Sequence, residues 1–523
     1  MMRQAIIWEL GSELNEPEVS GMIRWINIVI PWRPPMSVNA TQLIHELRAD
    51  FEHLLNLVTG PEAQTATLDQ MERSLFRHLL QMGRKLLQLF LAGRVEAESH
   101  APQWGWQRRK LPYHSQKSVD YFSVFGKLTF ARAYFYAPGQ AGKCPLDRAL
   151  SLPERCYSNL LMECAQLLAV DGAYDKAVQV LTRLLGLNLP VLAVETAVAA
   201  DSQAVSAFYE QREAFPRCEE GPILVAQADG KGVPLVRQAE DPLKVRRGKG
   251  DKKTRKKEAI AVAVYTIDPY HRTPEDVVAA LFHENPPLAE RPAPCHKQVF
   301  ASLDGKAAAV KRLAHWTAKR DGRPLRHRVS LTDGAKALQD QMRSRLPDFT
   351  LVLDIMHVLE YLWKAGTALY GETDPHRTEW VKAQALGILS SRAQKVIEHL
   401  EDKARSLSST SRAAKTLRRV ASYLQRNLPY LDYAWYLKKG WPIGTGVVEG
   451  TCRHLVKDRM ELAGMRWTVA GAEALLALRA VNENNDWEAF HQFRRQRCHR
   501  LLYGKPLNET WIDPVERLEI NQI

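Results

Sequence analysis

The 523-residue sequence predicts a multidomain α/β protein: a mixed sheet flanked by helices, interrupted by an all-α insertion and preceded by a helical and β-hairpin N-terminal region. Three observations predict it. The chain exceeds the roughly 250–300 residues at which one hydrophobic core stops growing. Between Pro222 and Tyr370, short apolar runs alternate with helical patterns, as strands covered by helices do. From about Glu372 to Tyr436 the periodicity is helical throughout and the segment is strongly charged.

Taken in order, residues 1–35 read as a poorly defined extension or an over-long gene start, because Met36 follows "IPWRPP" and precedes a clean helical pattern. Residues 36–100 form a helical region with apolar residues at three- and four-residue spacing. Residues 101–155 are a β-hairpin region, in which "SVDYFSVFGKLTFARAYFYAPG" places Gly126 at the turn, after the basic run "QRRK". Residues 156–220 are helical. There a helix over Tyr174–Leu185 ends at Gly186, a turn holds Pro190, and a second helix follows. That order is shared by a DNA-binding helix-turn-helix and an ordinary αα-hairpin; the spacing is common and Glu195 and Asp201 make the second helix acidic rather than basic, which counts against DNA binding and leaves both readings open. Residues 221–371 carry the first part of the sheet, 372–438 the all-α insertion, 439–487 a glycine-rich entry and two helices, and 488–523 a basic tail.

Composition narrows the partners. Seventy-two Lys and Arg against 59 Asp and Glu leave a formal charge of +13, which favours polyanions and above all nucleic acid. The seven cysteines form no CxxC pair and no spaced Cys/His quartet, so neither a zinc ribbon nor a disulfide framework is indicated. The first residues are acidic where a signal peptide would be basic, and no apolar run approaches the ~20 residues that span a bilayer. A cytoplasmic protein with no membrane partner is expected.

Asp229, Asp304, Asp333 and Asp354 each stand where an apolar run stops. Each has a plain explanation, as an N-cap contributing about 1 kcal/mol or as an Asp-Gly turn. Together they allow another, because residues at the carboxyl ends of neighbouring strands converge on one crevice. If the strands of Asp229 and Asp333 are neighbours, the two carboxylates share hard divalent cations such as Mg²⁺. Glu449 is the most plausible third ligand. In "GTGVVEGTCRHLVKDR" it lies at helical spacing i, i+4, i+8 with Arg453 and Lys457, two cations placed for phosphate. An exposed Glu/Arg pair has the same spacing. Asp304 is left as a cap.

The segments "AQADGKGVPL", "VSLTDGAKAL", "LVLDIMHVLEYLW" and "WPIGTGVVEGTCRHLVKDRMELAGMRW" occur in the order found in DDE transposases of bacterial insertion sequences. Over Pro222 to about Trp487 the chain resembles the Kra-type family, with wider similarity to the Mutator group. The resemblance implies an RNase H-like fold with a helical insertion before the glutamate. It also implies Asp229, Asp333 and Glu449 as catalytic metal ligands, and two Mg²⁺ ions as cofactors with Mn²⁺ able to replace them. Asp354 and His357 resemble the (Cys/Asp)-x-x-His signature that follows the second aspartate. They are expected to support the ligands or contact DNA, although Asp354 rather than Asp333 as second ligand stays open.

The implied activity is strand cleavage and strand transfer on double-stranded DNA, at transposon terminal inverted repeats and in target DNA, by a homodimer. Alternatives are a nuclease of the same fold that does not join strands and a non-catalytic DNA-binding regulator. The segment "KVRRGKGDKKTRKKE" holds nine Lys or Arg, among them Arg246, Arg247, Lys252, Lys253, Arg255, Lys256 and Lys257, and should bind phosphates with steep salt dependence and little sequence discrimination. Trp441 and Trp467 flank the glutamate motif and are candidates for stacking on unpaired bases, with core packing the competing role for Trp467.

Overall fold

The computed structural model describes residues 40–104, 110–236, 256–284, 290–322, 325–462, 464–504 and 507. Helices α1 (Ala40–Thr59) and α2 (Leu68–Glu96) lie side by side. A capping box starts α2: Thr67 accepts from the Gln70 N–H, and the Gln70 side chain accepts from the Thr67 N–H. Two short strands, β1 (Gln103–Trp104) and β2 (Lys110–Leu111), precede a long antiparallel hairpin of β3 (Tyr113–Ser123) and β4 (Gly126–Phe135). Gly126, expected at the turn, is instead the first residue of β4. The turn is Val124–Phe125, and the glycine is required one residue later because φ there is +119°.

Helices α3 (Pro145–Ala149), α4 (Asn159–Asp171), α5 (Tyr174–Leu185), α6 (Val191–Ser202) and α7 (Val205–Gln211) follow. Left-handed Gly186 closes α5 at φ 67°. The second helix of the expected helix-turn-helix, α6, buries Val194, Ala197 and Val198 and packs on α4 and on a helix near the C-terminus.

The central sheet has five strands: β5 (Ile223–Pro234), β6 (Lys256–Ile267), β7 (Cys295–Ser302), β8 (His327–Thr332) and β9 (Thr350–Leu353). Their order across the sheet is β7-β6-β5-β8-β9. The first three pair antiparallel, whereas β5 with β8 and β8 with β9 pair parallel. Helix α8 (Pro274–Leu281) precedes β7, and α9 (Lys306–Arg320) and α10 (Lys336–Arg345) are the crossovers that parallel strands require. Asp304 does not cap α9. Gly305 holds the N-cap position at φ +92° with no side-chain cap, and the Asp304 N–H bonds back to Ser302 Oγ.

Residues Ala259–Ile267 of β6 are buried without a break, so both faces of the sheet are covered. Along β5, Leu224, Ala226 and Ala228 enter one core while Ile223 and Val225 enter the other, as the two-residue period of a strand dictates. The second core is closed by α11 (Ile355–Tyr370), α12 (His376–Leu389), α13 (Ala393–Ser406), α14 (Arg412–Asn427) and α15 (Tyr433–Lys438). The first is closed by α9, α10, α16 (Gly446–Thr451), a π-helical turn over Cys452–Lys457, α17 (Asp458–Met460), α18 (Val469–Glu483) and α19 (Trp487–Tyr503). A buried fork fastens α9 to the sheet: Arg320 Nε donates to Glu220 Oε1 at 2.8 Å and Nη2 to Oε2 at 2.5 Å, with the side chains 2% and 3% exposed. Arg320 Nη1 adds the His296 carbonyl, and Thr266 Oγ1 donates to Glu220. Among the described residues no helix is long and apolar enough to cross a membrane.

Candidate active site

The register of the parallel strands aligns three aspartates. Gln227 pairs with Leu331, and Leu331 with Val352. Two residues further along each chain the positions are Asp229, Asp333 and Asp354, level with one another. Asp229 is still within β5, Asp333 follows β8, and Asp354 follows β9.

Each aspartate is fixed locally. Asp229 Oδ1 accepts from the Gly230 N–H at 2.6 Å, and the Cys452 thiol lies beside the same carboxylate. Asp333 Oδ1 accepts from the Ala335 N–H at 2.9 Å, while the Asp333 carbonyl accepts from Tyr423 Oη at 3.2 Å. Gly334 completes this turn at φ +86°, where a Cβ would stand 2.7 Å from Tyr423 Oη. Asp354 is the N-cap of α11 and accepts from the Met356 N–H at 2.9 Å. Its backbone N–H bonds to Thr332, and the Ile355 N–H bonds to Ile443, so the glycine-rich entry is held against the end of β9.

Glu449 arrives on α16, and Gln227 ties that helix to the sheet. Gln227 Nε2 donates to the Gly444 carbonyl at 3.3 Å and Oε1 accepts from the Val448 N–H at 2.9 Å. Asp354, His357 and Glu449 each bring a ligand atom within 4.8 Å of the others. Thr445 links two of them: its hydroxyl oxygen is 2.5 Å from Asp354 Oδ2 and 2.8 Å from Glu449 Oε1. His357 Nε2 lies 3.9 Å from Asp354 Oδ2, and its Nδ1 3.8 Å from Glu360.

Asp229 and Asp333 are outside that tight group, although Asp333 is near enough for its charge to act on Asp229. Sequence reasoning placed Asp229, Asp333 and Glu449 together and set Asp354 and His357 around them. In the structure the contacts bind Glu449 most closely to Asp354 and His357, while Asp229 meets the glutamate segment through Cys452. The stated helical spacing of Arg453 and Lys457 also changes. The π-helical turn fits more residues into each turn than an α-helix, so the two cations do not continue the α-register of Glu449. Both are exposed.

The electrostatics follow from burial. The Asp354 side chain is 0% exposed, and burial pushes its carboxyl up to about 6; Glu449 adds to the rise, while Thr445, Met356 and His357 oppose it. Burial, with Asp333 contributing, also raises Asp229 against the Gly230 and Cys452 hydrogen bonds. Burial and then the Asp229 charge push the Cys452 thiol far up, so it serves as a donor. Among the described residues, none of Asp229, Asp333, Asp354 and Glu449 has a Lys or Arg ion-pair partner. The Thr445 hydroxyl, moreover, has one proton for two carboxylates. This excess of oxygen donors over positive charge suits a hard divalent cation, which takes carboxylate oxygens.

Three residues that complete the site were not singled out from sequence: Gln227, Thr445 and Cys452. A lone amide inside the apolar run "ILVAQADG" was the available signal for Gln227. Trp441 and Trp467 are 3% and 9% exposed, so neither presents a ring face to a base. Trp441 stacks on Tyr436 with centroids 5.7 Å apart, and Trp467 Nε1 donates to the Met460 carbonyl. Of the basic segment, Arg246, Arg247, Lys252, Lys253 and Arg255 lie outside the described residues. Lys256 and Lys257 begin β6, where Lys256 pairs with Glu461.

No protein family matches the sequence, and no curated protein matches it. Among solved structures, the chain is similar to one in the Drosophila P element transposase strand transfer complex. The identity is 9% and the TM-score 0.23, over 65% of this chain and 81% of that one.

Proposed function

We propose that this protein is a DNA transposase of the DDE type, cleaving strands at the ends of an insertion sequence and joining them to target DNA. The observation that carries the reading is the level placement of Asp229, Asp333 and Asp354 within or just after three adjacent parallel strands, with Glu449 brought beside Asp354 on the helix that Gln227 clamps to the sheet. The order β7-β6-β5-β8-β9, three strands antiparallel and two added in parallel, supports an RNase H-like core. The Kra-type assignment, terminal repeats as the bound ends and a dimeric synapse are parts of this proposal and rest on the motif resemblance.

Asp229, Glu449 and either Asp333 or Asp354 would hold Mg²⁺, which when bound would stabilise negative charge on the attacking and leaving oxygens of a phosphoryl transfer. The chain itself does the positioning. The Cys452 thiol and Gly230 N–H orient Asp229; Thr445 and the Met356 N–H orient Asp354. His357, beside Asp354 and half-exposed, is placed to donate to a phosphate oxygen or to hold the carboxylate in place. Phosphoryl transfer of this kind depends on such positioning and on charge stabilisation, and needs no covalent enzyme intermediate.

The test is incubation of the protein with its own flanking genomic DNA and Mg²⁺, followed by mapping of nicks and joints. The reading predicts nicks at defined ends and joined products, both abolished by Asp229→Asn or Glu449→Gln with end binding retained. Nicks without joints from pre-cut ends would mark a nuclease. Binding with no cleavage under any divalent cation would mark a regulator. Comparison of Asp333→Asn with Asp354→Asn decides the second ligand.

A further inference from the structure

The α1–α2 helical pair carries an apolar face that nothing among the described residues covers. Over 20 and 29 residues these helices bury only Leu43, Leu54 and Leu91. Ile44, Phe51 and Val58 on α1, and Phe76, Leu86 and Phe90 on α2, are 39% to 55% exposed. Positions 44, 51 and 58 are seven apart, and 76, 86 and 90 fall on one heptad stripe, the pattern of a helix-packing seam. The other sides of α2 are occupied. Lys85 reaches Asp50 of α1 at 2.7 Å, and Leu87, Leu91 and Val95 pack on Leu128 and Phe130 of the β-hairpin.

Soluble monomers rarely expose an apolar patch beyond a few hundred Å². At about 200 Å² for a fully exposed large apolar side chain, the exposed fractions of these six residues total roughly 570 Å², about seven tenths of the ~800 Å² each partner brings to a stable complex. Charge selects the partner. The groove between the helices, about 320 Å³, is edged on α1 by Arg48 and Glu52, one turn apart. They form no ion pair among the described residues. When two α1 helices run antiparallel about a two-fold axis near residue 50, Arg48 of each copy meets Glu52 of the other. The face is therefore complementary to itself.

We propose that this face binds the same face of a second copy of the chain, the two α1–α2 pairs closing into a four-helix bundle about a two-fold axis. The inference deepens the dimeric synapse of the proposed function and rests on that reading for its role, whereas the contact itself is tested without DNA. It is tested by light scattering on the full-length chain during size-exclusion chromatography. The wild type should elute at twice the 59.4 kDa chain mass, and Phe76→Glu with Leu86→Glu should give the monomer. Arg48→Glu and Glu52→Arg should each raise the dissociation constant about tenfold, and the double swap should return it to within about threefold of wild type. Both charge positions are exposed, so a folding defect cannot produce that rescue. A chain lacking residues 1–35 should remain dimeric. A monomeric wild type, a dimer indifferent to the Phe76/Leu86 change, or a swap without rescue would overturn the proposal. So would a wild type that dimerises only after residues 1–35 are removed, which would assign the face to the chain's own N-terminal segment.

Discussion

Replacing Thr445 by valine preserves shape and removes one hydroxyl from the centre of the carboxylate cluster. That hydroxyl is 2.5 Å from Asp354 Oδ2 and 2.8 Å from Glu449 Oε1. With the Asp354 side chain fully buried, bulk water cannot take the vacated place, and the Met356 N–H is the donor that remains. A hydrogen bond to a charged group contributes about 1.5–3 kcal/mol, so Thr445→Val should cost about 2 kcal/mol near pH 7, and Thr445→Ser less than about 1. The assay is urea unfolding followed by tryptophan emission, repeated in an Asp354→Asn background. There the carboxylate is absent and the valine penalty should fall below about 0.5 kcal/mol, a coupling that only a direct interaction produces. A valine variant within about 0.5 kcal/mol of wild type, or an equal penalty in both backgrounds, would refute the contact as the organiser of the site.

Glu220→Gln leaves the Arg320 guanidinium buried without its carboxylate and should destabilise the protein by about 3–5 kcal/mol, whereas Glu220→Gln with Arg320→Met should cost less than the sum of the two; chemical denaturation measures both. His491 is 0% exposed with no partner at Nε2 among the described residues, and burial lowers it to about 4. The folded state therefore resists its protonation. Its contribution is complete above about pH 6.5 and is lost as pH falls toward 4, up to about 3 kcal/mol at 1.36 kcal/mol per unit. His491→Gln should remove that slope relative to wild type. Mg²⁺ at ten times its dissociation constant should stabilise the wild type by about 1.4 kcal/mol and leave Asp354→Asn/Glu449→Gln unmoved, as differential scanning fluorimetry would register.

Much of the sheet was legible because its strands are apolar runs that reach an aspartate, although β5 continues past Asp229 to Pro234. Register was less so. That Asp229, Asp333 and Asp354 are level depends on which strands pair, and non-local pairing leaves no local mark. The hairpin turn was misjudged by one residue because Gly126 serves the positive φ that opens β4 rather than the turn itself. Asp304 stood in a cap-like position, yet Gly305 took the N-cap. The π-helical turn after Glu449 was invisible to a helical wheel, which assumes a constant period, so the expected face of Arg453 and Lys457 did not hold. Thr445 and Cys452 act through contacts made across the chain, 91 residues apart for Thr445 and Asp354, and a single sequence carries no trace of them.

The central claim is that these carboxylates form one cation-binding pocket. Anomalous diffraction from crystals soaked in Mn²⁺ tests it most directly. The account predicts density among Asp229, Glu449 and one of Asp333 and Asp354, and its loss in Glu449→Gln. Manganese bound only elsewhere, or a site unaffected by that substitution, would contradict it.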